Sequence, residues 1–147
     1  MKPDLDAAPS LQTEPQAMEE AMRCFAPDGD LQLASIDAAE QRPPRFYQVA
    51  GDFAAAVAWA ERENRDGGNI YLQPNRVRPG LTTKAGLPDI VSARFCQVDV
   101  DPPKDGTVFD KDAAVAALCA LPVPPSFINS TGGGVQAFWR LSEPSHG

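Results

Sequence analysis

The chain has 147 residues, of which 43% are hydrophobic, and its 20 acidic and 13 basic side chains give a net charge of −7. This length is that of one domain or of part of one. The charge excludes a broad electrostatic attraction to nucleic acid. No stretch of the sequence approaches the roughly 18 apolar residues of a membrane span, and the N-terminus lacks the apolar segment of a secretory signal. We therefore expect a cytoplasmic protein.

The predicted elements alternate between short strands and helices. Asp52 and Asp110 are suitable N-caps for two of the helices, and the charged stretch 61–65 is interpreted as a solvated last helical turn. In chain order, we predict a disordered acidic leader over residues 1–15, a helix from about Pro15 to Phe25, strands over 31–36 and 45–49, a helix opened by Asp52 and ending in 61–65, strands over 69–73 and 90–101, a helix over 111–121, and strands over 126–130 and 135–141. This mixture of hairpins and helical crossovers predicts an α+β fold, with a mixed sheet and flanking helices, as one domain over residues 16–147.

Three cysteines, Cys24, Cys96 and Cys119, are odd in number and lie far apart in the sequence. They indicate neither a disulfide framework nor a zinc site. We expect each to act as a small apolar side chain within its element, with Cys119 on the inward face of its helix.

Basic residues are concentrated in one loop. No acidic residue lies between Gly67 and Pro88, whereas Arg76, Arg78 and Lys84 are present. This loop permits a local site for phosphate or a nucleic-acid template, although no motif assigns those residues.

Two aspartates close the strand 90–101, in the sequence Val98-Asp99-Val100-Asp101-Pro102. Successive side chains of a strand point to opposite faces, so Asp99 and Asp101 are expected on one face with their Cα atoms about 6.5 Å apart. At an effective dielectric constant of about 20, their carboxylates would repel by about 2.5 kcal/mol. A buried face tolerates such a pair only when a cation neutralises it, and oxygen ligands suit Mg²⁺ or Mn²⁺. The alternative is that both acids lie at a solvated strand end.

Three consecutive glycines separate the last two predicted strands, in the sequence Thr131-Gly132-Gly133-Gly134. Glycines allow positive φ and leave their amides unobstructed, so successive amides can form a nest for phosphate oxygens. The alternative is a flexible hairpin turn. Gln136 follows on a partly aromatic strand face, where it contacts either a ligand or a backbone group of the turn. No Lys-Ser or Lys-Thr follows the glycines, which excludes the phosphate-binding loop of nucleoside triphosphatases.

Together these motifs resemble the primase-polymerase domain of the archaeo-eukaryotic primase superfamily, and most closely its versions in phage and plasmid replication proteins. The resemblance covers about Met18 to Leu141 and rests on the ordered segments NIYLQPN, FCQVDVDP and FINSTGGGVQAFWRL. It implies that Asp99 and Asp101 bind catalytic Mg²⁺ or Mn²⁺. It also implies that the triphosphate of the incoming nucleotide is contacted by Thr131, Gly132, Gly133, Gly134 and Gln136. The expected partners are nucleoside triphosphates, a single-stranded DNA template and a helicase domain on the full-length polypeptide.

Two features depart from the pattern of that family. Gln136 stands where the family usually has a histidine, and glutamine can donate a hydrogen bond but carries no positive charge. The third acidic motif of the family lies beyond the glycine hairpin, and Glu143 is too close to the hairpin to supply it. The chain is therefore expected to be the front part of a catalytic domain and to be inactive alone.

The expected function is that of a DNA primase/polymerase-type nucleotidyltransferase domain in phage or plasmid replication. Two alternatives remain open from the sequence. One is a degenerate, non-catalytic module of the same fold that binds nucleotide or DNA. The other is a metal-dependent glycosyltransferase, in which an Asp-x-Asp motif holds the diphosphate of a nucleotide sugar through Mn²⁺.

Overall fold

A computed structural model of the chain describes residues 14–146, which form an α+β fold with three α-helices and seven strands. These residues divide into two compact units, and each unit contains one antiparallel sheet. Residues 1–13 of the leader expected over residues 1–15 lie outside the described residues. None of the described helices is long and apolar enough to cross a membrane.

The first unit, residues 14–74 and 79–86, contains a three-stranded sheet. Its elements are α1 (Pro15–Phe25), β1 (Gln32–Asp37), β2 (Arg45–Gln48), α2 (Phe53–Arg65) and β3 (Gly68–Gln73). Strand β1 lies in the middle of the sheet and is antiparallel to both β2 and β3. The hydrophobic core of this unit is formed by Met22, Ala26, Leu31, Leu33, Val49, Phe53, Ala56 and Val57.

The burial of Glu63 corrects the expectation that the charged end of α2 is a solvated turn. The residue is only 5% exposed. Its Oε1 lies 3.0 Å from Nη1 of Arg45, and its Oε2 lies 3.6 Å from Nη1 of Arg42. These two arginines come from β2 and from the loop before it. A buried charge requires such partners, and neither is near Glu63 in the sequence.

The second unit, residues 75–78 and 87–146, contains a four-stranded sheet. Its elements are β4 (Arg76–Val77), a 3₁₀ turn (Leu87–Asp89), β5 (Ile90–Val100), α3 (Lys111–Cys119), β6 (Phe127–Ser130) and β7 (Val135–His146). The strand order is β4-β5-β7-β6, and each neighbouring pair is antiparallel. The last strand of the chain, β7, therefore lies between β5 and β6.

The two sheets differ from the single mixed sheet expected from the sequence, because every described strand pair is antiparallel. Helix α2 connects β2 to β3, and helix α3 connects β5 to β6. The two strands joined by each helix run in the same direction, which a helical crossover allows, but an antiparallel strand lies between them. Each unit thus has a split β-α-β arrangement. The crossovers were predictable from the sequence, whereas the inserted strands were not.

The cysteines are a second correction. Cys24, Cys96 and Cys119 are all exposed, so none of them fills a core. Helix α3 has no buried residue at all. Its amphipathic pattern therefore marks a face that is only partly covered, and Cys119 does not face inward as expected.

Strand β7 is longer than the sequence predicted, since it continues past Leu141 to His146. Its pairing with β5 is irregular between Phe95, which lies opposite Arg140, and Ala93, which lies opposite Ser145. Pro144 falls inside this irregular interval. A proline is tolerated in a sheet at such a bulge, where the regular ladder of amide donors is interrupted.

Candidate functional site

Three polar side chains form a row across the sheet of the second unit. Gln136 of β7 lies opposite Asp99 of β5 on one side and opposite Asn129 of β6 on the other. Residues directly opposite each other in antiparallel strands project from the same face. We call Asp99, Gln136 and Asn129 the polar row. It brings one predicted metal ligand next to one predicted nucleotide contact.

Gln136 is held within this row by its neighbour. The Nδ2 of Asn129 donates a hydrogen bond of 3.3 Å to the Oε1 of Gln136. The Nε2 of Gln136 donates to no described residue, so Gln136 does not satisfy a backbone group of the preceding turn. Asn129, which the sequence analysis did not single out, thus leaves the donor group of Gln136 available to a ligand.

The two aspartates lie at the end of β5. Asp99 is inside the strand and Asp101 is one residue beyond its last residue, Val100. Both side chains are exposed, and neither forms a hydrogen bond or ion pair with another described residue. Of the two alternatives that the sequence leaves open, the structure therefore shows the solvated strand end. At the dielectric constant of water, the repulsion at the same separation falls to about 0.6 kcal/mol.

Exposure removes the electrostatic need for a cation but leaves the oxygen atoms of Asp99 and Asp101 open to one. Within residues 14–146, no group of three or more His, Cys, Asp or Glu side chains could hold a metal ion. A cation bound here would take at most two carboxylates from the described residues. Its remaining coordination positions would be filled by a ligand or by water, as Mg²⁺ prefers.

The segment from Thr131 to Gly134, here called the glycine turn, is closed by two hydrogen bonds. The amide of Thr131 donates to the carbonyl oxygen of Gly134 at 3.0 Å, and the amide of Gly134 donates to Oγ1 of Thr131 at 2.9 Å. The amides of Gly132 and Gly133 have no hydrogen-bond partner among residues 14–146. Of the three glycine amides predicted to bind phosphate, these two are available and that of Gly134 is occupied within the turn.

Gly134 is required by close packing and not by a positive φ, which none of the three glycines of the turn adopts. A Cβ at Gly134 would lie 2.3 Å from the carbonyl oxygen of Val100 and 3.4 Å from the Cα of Asp101. A Cβ at Gly133 would lie 3.8 Å from Cγ of Pro102. The missing side chain at Gly134 therefore allows the glycine turn to pack directly against the strand end that carries the aspartates.

Lys111 is a site residue that the sequence analysis missed. Its Nζ donates to the carbonyl oxygen of Thr131 at 2.5 Å and to that of Gly132 at 3.1 Å, and lies 3.5 Å from Oγ of Ser130. It is the first residue of α3, where the helix dipole disfavours a cation. That unfavourable position was the one signal in the sequence that could have indicated a role outside the helix.

Two other basic residues have structural partners. The guanidinium of Arg140 lies 5.6 Å from the ring centre of Phe95 and 5.3 Å from that of Phe127. Arg78 donates from Nε to Oδ1 of Asp89 at 2.7 Å, so its charge is paired. Lys84 belongs to the first unit, so the basic loop predicted from the sequence does not form a cluster within the second unit.

The loop after the aspartates is organised by Asp105. Its Oδ1 accepts a hydrogen bond of 2.9 Å from the amide of Thr107. Hydrogen bonding to the side chain of Thr107, and then to its amide, lowers the pKa of Asp105. This carboxylate is therefore committed to shaping the loop, unlike those of Asp99 and Asp101.

Within the second unit, the site combines two unpaired carboxylates, two unbonded amides and one lysine. Carboxylates can bind a divalent cation, and unbonded amides beside a cationic side chain can bind phosphate oxygens. Comparison with known proteins identifies no relative, since no family model, no curated protein and no solved structure matches the chain.

Proposed function

We propose that the second unit binds a nucleoside triphosphate together with Mg²⁺ or Mn²⁺, as part of a nucleotidyltransferase of the primase-polymerase type in phage or plasmid DNA replication. The observation that carries the proposal is the packing of Gly134 against Val100 and Asp101. This packing brings the glycine turn, with its two unbonded amides, beside the strand end that carries the aspartates. Carboxylates suit a divalent cation and unbonded amides suit phosphate oxygens, so the combination suits a metal–triphosphate complex.

Each residue of the site has a role in this proposal. Asp99 and Asp101 would supply oxygen ligands to the cation, whose positive charge would offset the negative charge of the phosphates. The free amides of Gly132 and Gly133 donate to the phosphates. The Nε2 of Gln136, left available by Asn129, donates to an oxygen of the same nucleotide. Thr131 closes the turn that presents the two amides.

Nucleotidyl transfer makes a further demand. Divalent metal, when bound, would supply the charge that activates a 3′-hydroxyl and stabilises the leaving pyrophosphate. In the family that the sequence resembles, a third acidic residue completes that metal site. Residues 14–146 offer no group of three. The proposal therefore assigns metal–nucleotide binding to Asp99 and Asp101, and it assigns catalysis to a form of the protein in which a further acidic residue joins them. A single-stranded DNA template and a linked helicase domain belong to that form.

A second candidate function is a non-catalytic nucleotide- or DNA-binding module. It is favoured by the uncharged Gln136, which is hydrogen-bonded to Asn129, and by the two-carboxylate site. Primer synthesis on single-stranded DNA separates the two candidates, using this chain and any longer reading frame that contains it. Product from the longer form supports the nucleotidyltransferase, whereas nucleotide binding without product from either form supports the module.

The metal role is tested by replacing both aspartates with their isosteres, in the double variant Asp99→Asn and Asp101→Asn. Titration calorimetry with dATP in the presence of Mn²⁺ should show at least a tenfold loss of affinity, equivalent to about 1.4 kcal/mol. Asp112→Asn, which removes an exposed carboxylate of α3 in the same unit, is the matched control and should bind normally. Unchanged affinity in a folded double variant contradicts the proposal.

A further inference from the structure

The ammonium group of Lys111 is directed at the glycine turn. Its three donors match three acceptors, namely the carbonyl oxygens of Thr131 and Gly132 and the hydroxyl of Ser130. Lysine has three N–H groups and no acceptor. The side chain is therefore fully engaged by the turn, and it crosses from the start of α3 to a segment about 20 residues later in the chain.

This contact determines where the free amides point. The carbonyl of Thr131 shares a peptide plane with the amide of Gly132, and the carbonyl of Gly132 shares one with the amide of Gly133. All peptide bonds of the turn are trans, so within each plane the C=O and the N–H point in opposite directions. Because Lys111 draws both carbonyl groups towards itself, both amides are directed away from it.

The two amides directed away in this manner are the two that lack a partner among the described residues. Gly132 and Gly133 are exposed, and no atom lies within 4 Å of the position that a Cβ would occupy on Gly132. A ligand can therefore reach them. No side chain restricts the φ and ψ angles of these two glycines, so Lys111 limits the rotation that the two hydrogen bonds closing the turn still leave to their peptides.

Lys111 also supplies a positive charge, which no residue of the polar row carries. Gln136 is neutral, while the carboxylates of Asp99 and Asp101 disfavour an anion. The lysine cation adjoins the carbonyl side of the same two peptide planes whose amide side faces solvent. The lysine cation polarises these two peptide groups, and this polarisation makes their N–H groups stronger hydrogen-bond donors. A chain of phosphates is the anionic ligand that two adjacent amides fit.

We propose that Lys111 is a positioning residue for the triphosphate, and that it orients the amides of Gly132 and Gly133 and supplies the positive charge of the phosphate site. This inference depends on the proposed function in one respect, namely that the glycine turn receives the phosphates of a nucleotide. It concerns the turn alone and not the metal ligands.

The test uses Lys111→Met, which retains the length of the side chain, Lys111→Arg, which retains the charge, and Lys104→Met, which removes an exposed lysine of the same unit. Inorganic tripolyphosphate without metal is the probe. Its binding is followed by calorimetry and by the ¹⁵N–¹H NMR shifts of Gly132 and Gly133. We expect Lys111→Met to weaken binding at least tenfold and to abolish the shifts. Lys111→Arg should recover part of the affinity, and Lys104→Met should bind normally.

A second arm uses Mn²⁺ alone, whose paramagnetic broadening reports binding at Asp99 and Asp101. Broadening of these two residues in Lys111→Met, as in the unaltered chain, shows that the variant is folded and that the metal ligands are independent of the lysine. Absence of broadening in the unaltered chain contradicts the proposed function but leaves the tripolyphosphate result interpretable. Tripolyphosphate binding that is unaffected by Lys111→Met, or that never shifts Gly132 and Gly133, overturns the inference about Lys111.

Discussion

Replacing Gly134 by alanine tests the close packing on which the site depends. A Cβ at this position would lie 2.3 Å from the carbonyl oxygen of Val100, whereas real Cβ contacts essentially never fall below 3.0 Å. The turn and the strand must therefore separate by at least the difference, 0.7 Å. Both partners are backbone, so no rotamer change can relieve the overlap.

The expected cost of Gly134→Ala follows from that overlap. Overpacking of a well-packed region costs about 1–3 kcal/mol. Reduced freedom of the unfolded chain returns about 0.4–1 kcal/mol for a glycine-to-alanine change. The net loss should be about 1–2 kcal/mol, which lowers the melting temperature of a unit of this size by roughly 5–15 °C. Because the strand end moves, binding of Mn²⁺–dATP should also weaken.

Urea unfolding monitored by tryptophan fluorescence measures this loss. Trp139 reports on the second unit, since its Nε1 donates to the carbonyl oxygen of Val123 at 2.9 Å, and all variants carry Trp59→Phe to remove the other signal. Gly132→Ala is the matched control, because no atom lies within 4 Å of its Cβ position, and it should be at least as stable as the parent. Equal stability of Gly134→Ala and Gly132→Ala would refute the packing argument.

Two further predictions concern partly buried polar contacts. Glu63→Gln removes the charge that pairs with Arg42 and Arg45 and should lower the stability of the first unit by about 2 kcal/mol in thermal unfolding, which is typical of a lost hydrogen bond to a charged group. Glu61→Gln, two residues earlier on the same helix, should change it by less than about 0.5 kcal/mol. Asn75→Ala removes an acceptor that lies 2.8 Å from the amide of Arg94 and 2.9 Å from that of Phe95, so it should cost about 2 kcal/mol and accelerate hydrogen exchange at both amides. Asn75→Asp keeps the acceptor but loses the donor that bonds the carbonyl oxygen of Phe95 at 3.1 Å, so it should recover only part of the loss. Slow exchange at both amides in Asn75→Ala would contradict this assignment.

Features encoded by neighbouring residues were predictable from the sequence. Asp52 accepts the amide of Ala55 at 2.9 Å, and Asp110 accepts that of Ala113 at 3.0 Å, so both predicted N-caps are confirmed. The bounds predicted for the first helix, Pro15 to Phe25, are also those of the structure. Capping and helical periodicity depend on residues within one or two turns of each other, which a single sequence displays directly.

Features that depend on distant residues were not predictable. Glu63 is buried because arginines about 20 residues earlier pair with its charge. The motifs of the site indicated Asp99 and Gln136 separately, but their pairing requires that β7 lie next to β5. Lys111 was interpreted only as part of a helix, because its contact with the glycine turn arises from tertiary structure. The roles of these residues with metal and nucleotide remain predictions.

The middle strand is made at a different stage of synthesis in the two sheets, because β1 is the first strand of its sheet in the chain and β7 is the last of its sheet. In the first unit β1 precedes both of its neighbours in the chain, so each later strand can add to a template that already exists. In the second unit β7 comes last, and β5 and β6 have no common partner until residues 135–146 have been synthesised. During translation, most backbone amides and carbonyls of the 11-residue strand β5 therefore stay unpaired until β7 has been made. Unpaired strand edges favour association with other chains. The second unit should consequently be the one that relies more on rapid completion or on chaperones.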